Sequence, residues 1–148
     1  MPQSLSLIVV HVIFSTKDRR SVLDAEILPE LFAYLATVAR NAGCECYRVG
    51  GVADYVHFAI RLSRTKSVAE IVEELKGASS LWLKTKGLPD FAWQRGYAAF
   101  SVGPKDLGAL VDYIASQEEH HRERSFQDEF RALLKRYRVE FDERYVWD

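Results

Sequence analysis

Seven tyrosines and four histidines are spread through 148 residues, and two short stretches place such side chains at spacings that chemistry can use. The first is Asp54-Tyr55-Val56-His57-Phe58-Ala59-Ile60. Side chains alternate along an extended strand, so Tyr55 and His57 project from one face while Val56 and Phe58 point to the other. A pair of imidazoles in that arrangement holds a divalent metal; here one member of the pair is a phenol. The second stretch is Asp112-Tyr113-Ile114-Ala115-Ser116-Gln117-Glu118-Glu119-His120-His121. On a helix Tyr113 and Gln117, four residues apart, lie on one face. A phenol attacks phosphorus well only as the phenolate, and its ordinary pKa is about 10. A cation that withdraws charge from the phosphate lowers the barrier, and the Gln117 amide oxygen can ligate such a cation. Each stretch also has a plain structural reading: a strand aromatic beside a polar-face histidine, and a tyrosine at the margin of an amphipathic helix.

The elements that must position these residues are legible from periodicity. Residues 6–14, rich in Ile and Val, predict a buried strand. A polar loop, Ser15 to Arg20, follows it. Asp24 can cap a helix reaching residue 41, with Ile27, Leu31, Leu35 and Val38 at helical spacing and Gly43 as its stop. Residues 44–49 read as a second strand ended by Gly50-Gly51, and residues 55–62 as a third. Ser67 with Glu70 forms a capping-box signature for a helix over 68–84, whose core stripe is Val68, Ile71, Val72, Leu75, Ser79 and Trp82. A fourth strand spans 97–102, Pro104 can open the helix that carries Tyr113, and a last helix spans 126–137. Residues 139–148 form an edge strand or pack down. The order strand, helix, strand, strand, helix, strand, then helices predicts an α+β, ferredoxin-like antiparallel sheet with helices on one face and a C-terminal helix carrying the candidate nucleophile. No repeat or linker interrupts residues 1–148, which reads as a single domain.

Composition narrows the setting more than the activity. A net charge of −1 gives no support for a nucleic-acid partner. The distribution is more informative: thirteen basic against ten acidic residues in 1–105, and seven against eleven in 106–148. A weakly basic body can hold a local basic groove. Cys44 and Cys46 share a strand face, and two thiols alone do not close a metal site; they read as reduced, partly buried thiols. The apolar run at residues 5–14 contains His11 and lacks the flanks of a signal peptide. No run approaches a membrane span, so the expectation is a cytoplasmic protein with no membrane partner.

Taken together, the motifs resemble a known family. The opening strand with Ser15-Thr16-Lys17, Gly50-Gly51-Val52-Ala53-Asp54-Tyr55-Val56-His57, Lys84-Thr85-Lys86-Gly87, Phe91-Ala92-Trp93-Gln94-Arg95-Gly96-Tyr97, Phe100-Ser101-Val102, the Tyr113 to His121 stretch and the terminal Tyr145-Val146-Trp147-Asp148 are similar to the single-tyrosine HUH-type transposases of small bacterial insertion sequences, especially those associated with repeated extragenic palindromes. The resemblance spans almost the whole chain. It implies that Tyr113 is the nucleophile of a single-strand DNA endonuclease and strand-transferase, forming a 5′-phosphotyrosine link and releasing a 3′-hydroxyl. It implies that His57 and Gln117 are ligands to Mg²⁺ or Mn²⁺, that single-stranded or hairpin DNA is the partner, and that the protein is a homodimer in which Tyr113 completes its own or the partner's site. Tyr55 departs from the family, which has histidine there. A neutral phenol is a poor ligand for a hard cation, so the substitution predicts weak metal binding and an active site shared between His57, Gln117, water and phosphate, with Tyr55 and His57 on a solvent-open sheet face. Lys17, Arg19, Arg20, Arg61, Arg64, Lys84, Lys86 and Arg95 are candidate phosphate contacts. Trp82, Trp93 and Tyr97 are candidate platforms for unpaired bases. His11 reads as a core or sheet-face histidine, and His120 and His121 as a solvated helix end. Two other readings stand beside this one: a domesticated protein that binds a DNA hairpin without cutting it, and an unrelated ferredoxin-like interaction domain.

Overall fold

A computed structural model describes residues 2–117 and 125–148. The elements follow in the expected order: β1 (Val9–Ser15), α1 (Leu28–Asn41), β2 (Glu45–Val52), β3 (Tyr55–Arg61), α2 (Val68–Thr85), β4 (Ala98–Val102), α3 (Leu107–Ala115) and α4 (Phe126–Arg136). The strands form one open sheet in the order β2-β3-β1-β4, with every neighbouring pair antiparallel. The central pair, β1 and β3, is set by apolar alternation on both strands: Val10, Val12 and Phe14 share a core with Val56, Phe58 and Ile60.

That core lies against the two long helices. Leu31, Leu35 and Ala39 of α1 and Ile71, Val72, Leu75 and Leu83 of α2 pack on it. The capping box opens α2 as its sequence predicts: Ser67 Oγ accepts from the Glu70 amide at 3.1 Å, and Glu70 Oε1 accepts from the Ser67 amide at 3.0 Å. Trp93 belongs to this core and donates its indole N–H to Ser79 Oγ at 2.9 Å. It is therefore a packing residue and not a platform for a base.

The second face of the sheet is also covered. Ile13, Tyr55, Ala98 and Phe100 meet Phe126, Phe130 and Leu134 of α4, and α3 lies across β2 and β3. Residues 139–148 form no strand; Val146 and Trp147 pack on the α4 cluster, and the Asp148 carbonyl accepts from the Gly96 amide at 2.8 Å. The loop that receives it is fixed from below by Lys76, whose ammonium donates to the carbonyls of Gln94, Arg95 and Gly96 at 2.8, 3.2 and 2.6 Å. Among the described residues, no helix is long and apolar enough to cross a membrane.

One boundary differs from the sequence reading in a way that matters. Gly50 and Gly51 do not end β2; the strand runs through them to Val52. Each is crowded by a different neighbour: a Cβ on Gly51 would overlap the Tyr55 carbonyl of β3, and Gly50 lies under α3. A Cβ on Gly50 would overlap the Ile114 carbonyl and side chain of α3, so the missing side chain lets the helix that carries Tyr113 settle directly on the strand. Gly50→Ala should therefore displace α3 or cost about 1–3 kcal/mol through overpacking. Urea denaturation checks this, and an unchanged midpoint together with an unchanged α3 environment would contradict it.

Candidate active site

His57 stands third in β3 and is fully buried. Across the ladder, Ile13 is its register partner, and the neighbouring inward position on β1 is His11. The two imidazoles meet diagonally: His11 Nε2 lies 2.8 Å from His57 Nδ1, with the rings stacked at 5.1 Å. Burial pushes the His11 pKa down to about 4, so the pair is held without charge on His11 at neutral pH. The reading of His11 as a core or sheet-face histidine agrees with its burial; its contact with His57 was not foreseen.

Tyr113 arrives from α3. It is half-buried, and the edge of its ring faces both imidazoles, with centroids 5.8 Å from His57 and 6.2 Å from His11. Gln117 lies beyond the last turn of the same helix and is buried. Its Nε2 donates to the Tyr113 carbonyl at 3.2 Å, while its Oε1 has no hydrogen-bond partner among the described residues. It shares a cleft with Gly50, Gly51 and Val52, the stretch of β2 that pairs with His57, Val56 and Tyr55. The fold thus brings Tyr113 beside His57 and sets Gln117 over the same end of the hairpin.

Tyr55 shares the face of His57, as alternation requires, and their rings meet at 5.3 Å. The expectation of a solvent-open face is overturned. Both residues are completely buried, because α4 closes over them: the Tyr55 ring stacks on Phe126 at 4.3 Å, and the α4 carboxylate of Glu129 lies 3.9 Å from His57 Nε2. Burial, reinforced by the Glu129 and Asp54 charges, pushes the Tyr55 pKa well above its ordinary value. That direction favours the neutral phenol, which interacts with the Glu129 carboxyl beside it. Burial likewise raises the Glu129 pKa to about 7. Sequence reading missed Glu129 because nothing in the pattern of α4 sets it apart from the other acidic residues of the C-terminal third; only the folding of α4 over β3 selects it.

The candidate phosphate contacts do not form one groove. Lys17 and Arg20 line a cavity of about 310 Å³ with Gly87, Pro89, Asp90 and Phe91, and the exposed Lys84 and Lys86 sit just before that loop. Lys86 lies over the Trp82 ring at 5.4 Å, and Trp82 stacks on Tyr34 at 5.0 Å. Arg61 and Arg64 line a separate cleft with Arg40, near the other end of β3. Arg19 is turned to the terminal segment, 5.3 Å above the Trp147 ring. Arg95 and Tyr97 are exposed beside the loop held by Lys76. His120 and His121 lie outside the described residues.

With this geometry in place, the comparison with known proteins is specific. Residues 4–117 match the family described as transposase IS200-like. The chain belongs to that family. It is 27% identical over 116 residues to the ISDra2 transposase TnpA of Deinococcus radiodurans, covering 74% of this chain and 83% of that one. The fold matches a crystal structure of a transposase candidate from Deinococcus radiodurans R1 with a TM-score of 0.64 at 24% identity, covering 79% of this chain and 98% of the other. It also matches a REP-associated tyrosine transposase bound to a REP hairpin, with a TM-score of 0.60 at 18% identity, covering 82% and 74%.

The buried carboxyl gives this transposase-family chain a measurable signature. Between pH 4.5 and about 7 the folded state keeps a Glu129 proton that the unfolded chain has released, so this group's contribution to stability falls as pH rises through that window. His11 acts in the opposite sense: its contribution is lost as pH falls below about 6.5. Because the groups facing Glu129 (His57 and Tyr55, with His11 behind them) remain in both proteins, comparing wild type with Glu129→Gln isolates the carboxyl. The variant should be more stable at pH 8 by up to about 3 kcal/mol and lose most of that advantage at pH 4.5. Urea denaturation in the presence of a chelator measures both.

Proposed function

We propose that this member of the family is a metal-dependent transposase that cuts and rejoins single-stranded DNA through Tyr113. The observation that carries the reading is the convergence of Tyr113 from α3 upon the buried His57–His11 pair. A half-buried phenol whose ring packs against the two imidazoles is held in place, and membership of the family shown by residues 4–117 supports a phosphate as the group its oxygen attacks.

The donor set fits a hard divalent cation such as Mg²⁺ or Mn²⁺. Gln117 Oε1 and both Glu129 carboxylate oxygens are buried with no hydrogen-bond partner of standard geometry among the described residues, which is costly unless another group satisfies them. Among the described residues no group of three His, Cys, Asp or Glu side chains is placed to hold a metal ion, so the site depends on an amide oxygen. His57 and Gln117 would hold the cation, and Tyr55 would not. When bound, it withdraws charge from the scissile phosphate.

The remaining chemistry belongs to the chain. The Tyr113 phenol releases its proton to solvent as its oxygen bonds to phosphorus, the bond from phosphorus to the 3′-oxygen breaks, and that oxygen takes a proton from solvent and leaves as a hydroxyl. The 5′-phosphotyrosine link retains the energy of the diester, and attack by a 3′-hydroxyl reverses the step and frees Tyr113. His11 keeps the His57 ring in place.

Phosphate contacts come from the Lys17, Arg20, Lys84 and Lys86 side of the molecule, with the exposed Tyr97 available for stacking. The bound hairpin of the structural relative supports a hairpin-bearing single strand as the partner. A homodimer accords with the exposed apolar run Leu5, Leu7 and Ile8 ahead of β1; light scattering at micromolar concentration should give twice the mass of the 148-residue chain, and a monomer would count against it. The complete burial of Tyr55 and His57 favours one alternative, a protein that binds the hairpin without cutting.

The nucleophile separates these readings. Wild type incubated with hairpin-bearing single strands and Mn²⁺ should give a covalent protein–DNA adduct stable to denaturing gels. Tyr113→Phe, which removes one hydroxyl and little volume, should abolish the adduct while leaving DNA affinity within about twofold. An adduct that survives the change identifies another tyrosine. Tight, salt-dependent binding with no adduct from wild type establishes the binding-only alternative.

A further inference from the structure

Glu129 is an unusual residue to find under a helix. It is 5% exposed, and its only ionic neighbour among the described residues is the His57 imidazole. Its other polar neighbour is the Tyr55 hydroxyl, which interacts with the carboxyl at a geometry short of a well-formed hydrogen bond. A buried acid of this kind is costly to maintain without a counter-charge. The side chain beside it on the sheet, Tyr55, is the one that departs from the family's metal motif.

The spacing suggests what the carboxylate is for. His57 Nε2 and Glu129 Oε1 are 3.9 Å apart, too long for a hydrogen bond. Two donors bound to one cation at about 2.1 Å each lie no more than about 4.2 Å apart, so this pair can reach a common ion. The other nitrogen of His57 is already engaged, 2.8 Å from His11 Nε2. If His57 Nδ1–H donates to His11, the His57 Nε2 lone pair is directed at Glu129. A ligating histidine is ordinarily held in this way by a partner on its far nitrogen.

We propose that Glu129 of α4 has taken the ligand place that Tyr55 cannot fill, so that the divalent cation of this chain is held by His57 Nε2 and the Glu129 carboxylate, with Gln117 completing the protein donors. This rests on the reading of His57 and Gln117 as metal ligands given above. His11 is a positioning residue that selects the His57 tautomer. In place of the histidine that the resemblance implies on β3, a carboxylate is supplied from a different element, 74 residues further on. A carboxylate suits Mg²⁺ or Mn²⁺ better than the imidazole it replaces.

The test uses the full chain, stripped of metal, with Mn²⁺ alone as the probe. Isothermal titration and the electron paramagnetic resonance signal of free Mn²⁺ are followed for wild type, Glu129→Gln, His57→Gln and Tyr55→Phe. The expected result is one site in wild type, weakened at least tenfold in both Glu129→Gln and His57→Gln and unchanged within twofold in Tyr55→Phe. The urea midpoint of each metal-free variant shows that it is folded. Wild-type affinity in Glu129→Gln, with binding lost in His57→Gln, would overturn the role of Glu129 and leave the metal reading intact. No Mn²⁺ binding by wild type would overturn both. A tenfold loss in Tyr55→Phe would make the phenol the ligand and also overturn the proposal.

Discussion

Two imidazoles 2.8 Å apart in the interior of a sheet set the terms for everything around them. Neither can be left without a partner in a dry environment, and two charged rings could not share the space. The contact requires His11 and His57 to sit diagonally on adjacent strands, which the β1–β3 register provides. It also requires a cover that excludes water while offering polar groups to the outward nitrogens. The cover is made from α3 and α4, and each brings one functional group of its own: the Tyr113 phenol and the Glu129 carboxylate. Gly50 belongs to the same arrangement, because its missing side chain lets α3 approach closely enough for Tyr113 to meet the rings.

The fold was legible wherever local physics and the global arrangement agree. The Ser67–Glu70 capping box, the apolar alternation of β3 and the helical stripes of α1 and α2 each determine an element without reference to the rest of the chain. Gly50 and Gly51 were misread as a strand end because glycine breaks strands by local propensity, whereas here Gly50 makes room for a helix 64 residues away and Gly51 for the backbone of β3. The open sheet face was an error of the same kind. Alternation shows that Tyr55 and His57 share a face, but whether that face meets water depends on where α4 docks, and no pattern in residues 126–136 states this.

The site was half legible for a related reason. Gln117 follows Tyr113 by four residues at the end of α3, and Tyr55 and His57 lie on one strand, so their spacing alone brings each pair together. His11 and Glu129 join them only through tertiary structure. A histidine in an apolar strand and a glutamate in an amphipathic helix are both ordinary in sequence, and burial next to one another is what makes them unusual. The basic residues are the reverse case: conspicuous in sequence, they separate into a group near the Lys17–Pro89 cavity and another near Arg40 and Arg64, so that one run of phosphates would meet one group or the other.

The stacking of Tyr55 on Phe126 at 4.3 Å has a bearing on descent. A histidine restored at position 55 would leave a gap beneath Phe126 and place a third imidazole against two that already satisfy each other, with Glu129 crowding the same space. Reversal by a single substitution is thus disfavoured on packing grounds alone. Tyr55 and the α4 residues that enclose it thus form one packing unit, in which a histidine at 55 would be the foreign side chain. Sequences sharing the tyrosine should carry an aromatic at the position of Phe126 and an acid at that of Glu129, and sequences keeping the histidine are released from both requirements.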